Sequence, residues 1–172
     1  MNGFEAAAYR HQRKVFTFAR YYLGSSEEAE DVTQEVLIKL WQHQREIADD
    51  GQHAWIMQVT RNACFDRLRR RRSAARVFQE DPEERAAAKV PANDPDPEAR
   101  AAASDFQHHL RLALEQLKDP MKSIVILREI QGLKYQEIAE ALEIPLNTVR
   151  VYLHRGRQRL REQLREVYGH AS

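Results

Sequence analysis

Apolar residues recur along this 172-residue chain at steps of three and four, the period of helices buried on one side. The first stretch runs from Phe4 to Leu23 with Val15, Ala19, Tyr22 and Leu23 on one face, and Gly24 is placed to end it. Ser25 opens a second helix, Glu28 completes a capping box, and Ala29, Val32, Val36 and Leu40 form the buried stripe. A third helix is predicted from near His53 through a run of arginines, turning Trp55, Ile56, Val59 and Ala63 inward. The period then fails between about Val77 and Ser104, where Pro82, Pro91, Pro95 and Pro97 stand among acids, with short helical margins at Ala86–Ala88 and Ala101–Ala103. A relaxed coil of that length spans ~30 Å and an extended one roughly 90 Å, enough to tether two domains on separate sites. Patterning resumes near Asp105. Leu110, Leu114 and Leu117 form a stripe, Lys118-Asp119-Pro120 breaks it, and a short apolar helix from Ile124 to Ile130 closes at Gly132. With only six glycines, four threonines and no sustained alternation of period two, the predicted fold is all-α. It comprises two small helical domains, residues 1–76 and 105–172, joined by an acidic linker over 77–104.

Charge changes the picture. Lys and Arg number 27 against 26 Asp and Glu, yet the charges are segregated. Arg61–Arg76 holds seven arginines and one acid, Gln79–Asp105 eight acids and three bases, and Asn147–Arg165 six arginines and one acid. Two basic zones flanking an acidic one suit a polyanion gripped at two places. The longest apolar runs are four residues, such as Ile124–Leu127, far below the ~20 of a membrane helix, and no secretory signal is visible at the N-terminus. The lone Cys64 excludes an internal disulfide and a Cys-rich zinc module, and it reads as a small core residue.

The most informative stretch is Tyr135–Leu142, then Glu143-Ile144-Pro145, then Leu146–Leu153, which has the spacing of a DNA-binding helix-turn-helix. Ile138, Leu142, Ile144, Val149 and Tyr152 supply the apolar crossing, and Ala139 the small residue where the backbones approach. The second helix then exposes Asn147, Arg150, Val151 and His154, with Thr148 and Arg155 at its margins, as donors for base edges in a major groove. Arg155, Arg157, Arg159 and Arg161 can neutralise phosphates. One position dissents: the turn residue, commonly glycine, is Glu143, at a cost on the order of 1 kcal/mol if the left-handed geometry is kept. On the third helix Gln58, Arg61, Asn62, Phe65 and Arg69 share a face, an aromatic among arginines and amides suited to unstacked bases and phosphates.

These two halves, in this order, resemble a bacterial RNA polymerase sigma factor of the extracytoplasmic-function group. The resemblance rests on Glu30–Trp41 and Ala54–Arg72 in the first half, and on Leu133–Leu142, Ile144-Pro145, Asn147–Arg150 and Leu153–Leu160 in the second. It implies that a helix bearing Asp31, Gln34, Glu35, Lys39 and Trp41 docks on the β′ clamp helices of core RNA polymerase. It further implies that the Gln42–His53 loop and the helix after it, with Gln58, Arg61, Asn62, Phe65 and Arg69, engage and open the −10 element. The helix-turn-helix would read the −35 element of promoter DNA, and its domain would meet the β flap. An anti-sigma factor is a possible partner, the expected location is the bacterial cytoplasm without membrane insertion, and no cofactor or metal is expected. The chain departs from the family pattern at Glu143 and Asn147 (commonly glycines), at Val151-Tyr152 (often Ser-Arg) and at Gly156 (usually alanine).

A free-standing helix-turn-helix regulator is the alternative, though it leaves the first domain without a purpose. A helical adaptor that binds only proteins would not need arginines on two spaced faces. An enzyme would need a glycine-rich phosphate loop or a nucleophile–base set, and neither is present. The histidines, His11, His43, His53, His108, His109, His154 and His170, show no ligand spacing on one helical face and read as surface residues.

Overall fold

The computed structural model describes residues 3–78 and 97–169, and all regular structure among them is helical. Three helices build the first half: α1 (Gly3–Leu23), α2 (Ser26–His43) and α3 (Gln52–Phe78). The second half comprises α4 (Pro97–Glu115), α5 (Met121–Val125), a π-helical turn (Ile126–Ile130), α6 (Tyr135–Leu142) and α7 (Leu146–Tyr168). The rest of the acidic linker, with Ala86–Ala88, lies outside the described residues.

Local chemistry sets the boundaries. Gly24 ends α1 at φ +72°, and the Ser25 hydroxyl caps α2 by accepting the Glu28 N–H at 3.3 Å. Glu28 does not complete the capping box, because its carboxylate is taken by Arg71 of α3. The same guanidinium donates to the Leu23 carbonyl from both terminal nitrogens at 3.1 Å, so an arginine from the basic run ties the end of α1 to the start of α2. Helix α4 begins at Pro97, eight residues before the apolar stripe resumes at Asp105. Pro97 suits a first helical position and Ala101–Ala103 favour helix without contributing a stripe, so hydrophobic periodicity alone does not register them. The predicted helix over Ile124–Ile130 is instead α5 running into the π turn, where Gln131 N–H bonds the Ile126 carbonyl at 3.2 Å. Met121–Leu127 is buried without interruption, so no single-sided period constrains the turn, and its widening carries Leu133 into the core.

In the first half Val15, Phe18 and Ala19 of α1 pack with Val32, Val36 and Leu40 of α2 and with Ile56, Met57 and Cys64 of α3. Burial pushes the Cys64 thiol well above its usual range, which leaves it an inert core group. In the second half Leu114, Ile124–Leu127, Ile138, Val149 and Leu153 do the same. The halves also touch: α3 packs on α6, and α1 packs on the π turn and on α4.

Two glycine-related departures have structural outcomes. Glu143 adopts φ +53°, and Ile144 N–H closes the turn on the Ala139 carbonyl at 3.1 Å, so the left-handed turn is kept with a side chain present. Glu143→Gly is therefore expected to stabilise the fold by about 1 kcal/mol, a rise in Tm of roughly 3 °C, measured by thermal unfolding of the full chain. An unchanged or lower Tm would show that the turn carries no strain. Gly156 lies on the buried face of α7, where an added Cβ would sit 2.5 Å from Val125 Cγ2 and 3.1 Å from Met121 Cγ.

Candidate nucleic-acid interface

Helix α7 is amphipathic by construction. Val149, Leu153, Gly156 and Leu160 face the core, which turns Asn147, Arg150, Val151, His154 and Arg155 outward, with Thr148 half-buried beside them. The backbone of α6 is capped by Glu137, whose carboxylate accepts the Lys134 N–H at 2.7 Å. Arg155 lies over the Tyr152 ring at 6.0 Å. Arg157 is half-buried, and its guanidinium is paired at the surface with Glu129 of the π turn at 2.5 Å. The pair joins α7 to the π turn of the same domain.

The basic run on α3 divides in a similar way. Asn62, Phe65 and Arg69 are exposed, while Gln58 and Arg61 are half-buried. Arg61 stacks on the Phe65 ring at 5.4 Å, and its Nε lies 3.7 Å from the carboxylate of Asp119 in the second half. Arg67 turns back to α2, 3.6 Å from Asp31 and 3.8 Å from Glu35, and Arg71 is the helix-end clamp described above. Between the halves lies a cleft of about 470 Å³ bordered by Tyr22, Phe65, Arg69, Arg72, Lys118 and Asp119.

On α2, Asp31 and Gln34 are exposed, Glu35 is half-buried, and Lys39 pairs with Glu35 at 3.0 Å. Trp41 is 59% exposed and Ile38 56%. Asp31, Gln34, Ile38 and Trp41 recur at helical spacing and make one outward stripe. Ile38 was absent from the sequence-derived set. Its signal was available, since it lies three residues before Trp41 and off the Val32/Val36/Leu40 face.

The histidines correct one expectation. His11 is buried and its ring stacks on His53 at 5.7 Å, joining α1 to the start of α3. Burial first, then the neighbouring His53, Lys14 and Arg10, lowers the His11 pKa to about 4. Lying on different helices, the pair left no trace in single-helix spacing. Among the described residues no group of three or more His, Cys, Asp or Glu is arranged to hold a metal. None of the described helices is long and apolar enough to cross a membrane.

A helix-turn-helix with a solvent-facing second helix, and a separate basic helix in another bundle, define an all-helical chain with two basic elements. Family models agree in both places: "Sigma-70 region 2" matches residues 8–74 and "Sigma-70, region 4" matches residues 108–160. The chain is 35% identical over 156 residues to the ECF RNA polymerase sigma factor SigE of Mycolicibacterium smegmatis, covering 90% of this chain and 59% of that relative. It is 26% identical to the ECF RNA polymerase sigma factor SigW of Bacillus subtilis, covering 91% and 86%. In fold it is similar to the sigma factor RpoE from Bartonella quintana, solved with the anti-sigma factor NepR, at a TM-score of 0.74 and 22% identity, covering 96% of this chain and 98% of that one. The chain belongs to the sigma-70 family, in its extracytoplasmic-function group of RNA polymerase sigma factors.

Proposed function

We propose that this chain binds core RNA polymerase and directs it to specific promoters in the bacterial cytoplasm, acting as a regulatory factor rather than as a catalyst. The observation that carries this reading is the pairing, in one chain, of an outward recognition helix (Asn147, Arg150, Val151, His154) with an exposed apolar stripe on α2 (Ile38, Trp41). A free-standing regulator needs the first and has no use for the second. In this reading the first half, 1–76, docks on the β′ clamp helices through Asp31, Gln34, Glu35, Lys39, Ile38 and Trp41. Gln58, Arg61, Asn62, Phe65 and Arg69 then engage the −10 element, Phe65 as a stacking platform and Arg69 on phosphate. The second half, 105–172, meets the β flap and reads the −35 element through Asn147, Thr148, Arg150, Val151, His154 and Arg155, while Arg157 holds the reading helix in place. An anti-sigma factor is the further partner this reading admits.

The test is reconstitution. Purified chain added to core polymerase should be retained by it and give discrete run-off transcripts from genomic fragments. No retention, together with salt-sensitive duplex binding by the chain alone, would make it a stand-alone regulator. Arg150→Ala should lower discrimination at one or two −35 positions by ~1–3 kcal/mol, read from transcription of single-substitution promoters. A uniform loss at every position would instead make Arg150 a phosphate contact.

A further inference from the structure

One buried cation has no part in the proposed function. Lys122 of α5 is 4% exposed, yet it lines the cleft that Phe65 and Arg69 border. Among the described residues its ammonium has no hydrogen bond and no ion pair, and its contact is the Tyr22 ring at 4.5 Å. Burying an ammonium without an acceptor is costly, and burial lowers the Lys122 pKa to about 8 against the opposing pull of Glu115 and Asp119. Neither acid supplies the missing acceptor. Asp119 is engaged by the Tyr22 hydroxyl, by the Ser123 hydroxyl and N–H, and by Arg61 at 3.7 Å, while Glu115 does not pair with Lys122.

The rest of the lining carries the same sign. Arg72 and Lys118 border the cleft, and among the described residues neither has an acidic partner. Phe65, beside them, is 42% exposed. The volume of about 470 Å³ falls within the ~300–1,000 Å³ of small-molecule sites. We propose that this cleft binds a nucleoside diphosphate or triphosphate, with its phosphates on Lys122, Lys118 and Arg72 and its base on Phe65. The phosphate chain supplies the acceptor that Lys122 lacks, and charge-assisted hydrogen bonds to it are stronger in a desolvated site than at the surface. A free nucleotide fits this better than a nucleic-acid strand, because its terminal phosphate can enter end-on and carries more charge than a phosphate flanked by two sugars. On the proposed function, a bound nucleotide shares Phe65 and Arg69 with the −10 strand, so the two exclude each other.

Equilibrium dialysis of radiolabelled ADP and GDP against the full chain, without polymerase or DNA, tests the site. Both should bind, and pyrophosphate should displace them roughly 10-fold less well than unlabelled nucleotide, the worth of stacking one base. Lys122→Met keeps the buried stem and removes the charge. It should keep or raise the Tm and weaken nucleotide binding about 10- to 100-fold, the worth of a hydrogen bond to a charged group. Arg159→Ala, on the basic run of α7, should leave binding unchanged. Affinity of the unaltered chain should also fall above pH 8, where Lys122 gives up its proton, and the Lys122→Met chain should lack that fall. The groups facing Lys122 are Glu115 and Asp119, which favour its charge, Arg71, which opposes it, and Cys64 and Tyr22, both held protonated by burial. No binding by the unaltered chain overturns the proposal, as does equal displacement by pyrophosphate or equal weakening by Arg159→Ala. If nucleotide binds as described but fails to displace a labelled single-stranded DNA, the assignment of Phe65 and Arg69 to the −10 element fails and the nucleotide site stands.

Discussion

Replacing Gly156 with valine is expected to destabilise the second half by about 3 kcal/mol, the upper range for inserting carbon into a packed core. The position where a Cβ would fall is already 2.5 Å from a methyl of Val125, and Met121 closes the other side. Alanine is the sharper probe. It favours a helix interior over glycine by about 1 kcal/mol, so a Gly156→Ala variant that is less stable must be losing more than that to the collision. Pairing it with Val125→Ala should recover part of the loss, and the non-additivity, read from denaturant midpoints of the four chains, measures the contact directly. Additive losses would mean that α5 and α7 are not in the contact described. Val125 thus occupies the space that a side chain at position 156 would need.

The second large effect lies on α2. Trp41→Ala is expected to weaken association with core polymerase by about 2–3 kcal/mol, roughly 30- to 150-fold in Kd, because tryptophans at the centre of an interface carry a disproportionate share of its energy. The helix itself should be unaffected, since Trp41 is exposed and outside the Val32/Val36/Leu40 stripe. Ile38→Ala should act in the same direction and by less. Titration of labelled chain against core polymerase checks both, and an unchanged Trp41→Ala affinity would move the docking surface off α2.

How much of this was legible in the sequence depends on whether a feature is local. The cap by Ser25, the end of α1 at Gly24 and the turn at Glu143 each depend on a few consecutive residues, and periodicity with capping rules located them. The outward face of α7 was equally legible, because burial of Val149 and Leu153 leaves only one side free. The roles of individual arginines were not. Arg67, Arg71 and Arg157 look like their neighbours in the sequence, yet each is held by an acid or a carbonyl on another element. The stacking of His11 on His53 and the burial of Asp119 are likewise products of tertiary approach, which no spacing within one helix encodes.

Helix α7 runs unbroken for 23 residues, so at 1.5 Å per residue it is a rod of about 35 Å. Its first turns carry the outward residues Asn147, Arg150, Val151 and His154. In its last turn Tyr168 bonds Asp105 of α4 at 2.9 Å and packs near Phe106 and His109. Helix α4 is where the chain arrives from the first half. A tilt of the rod at one end is therefore carried to α4 at the other, so the outward residues of its first turns and the start of the second half move as one lever.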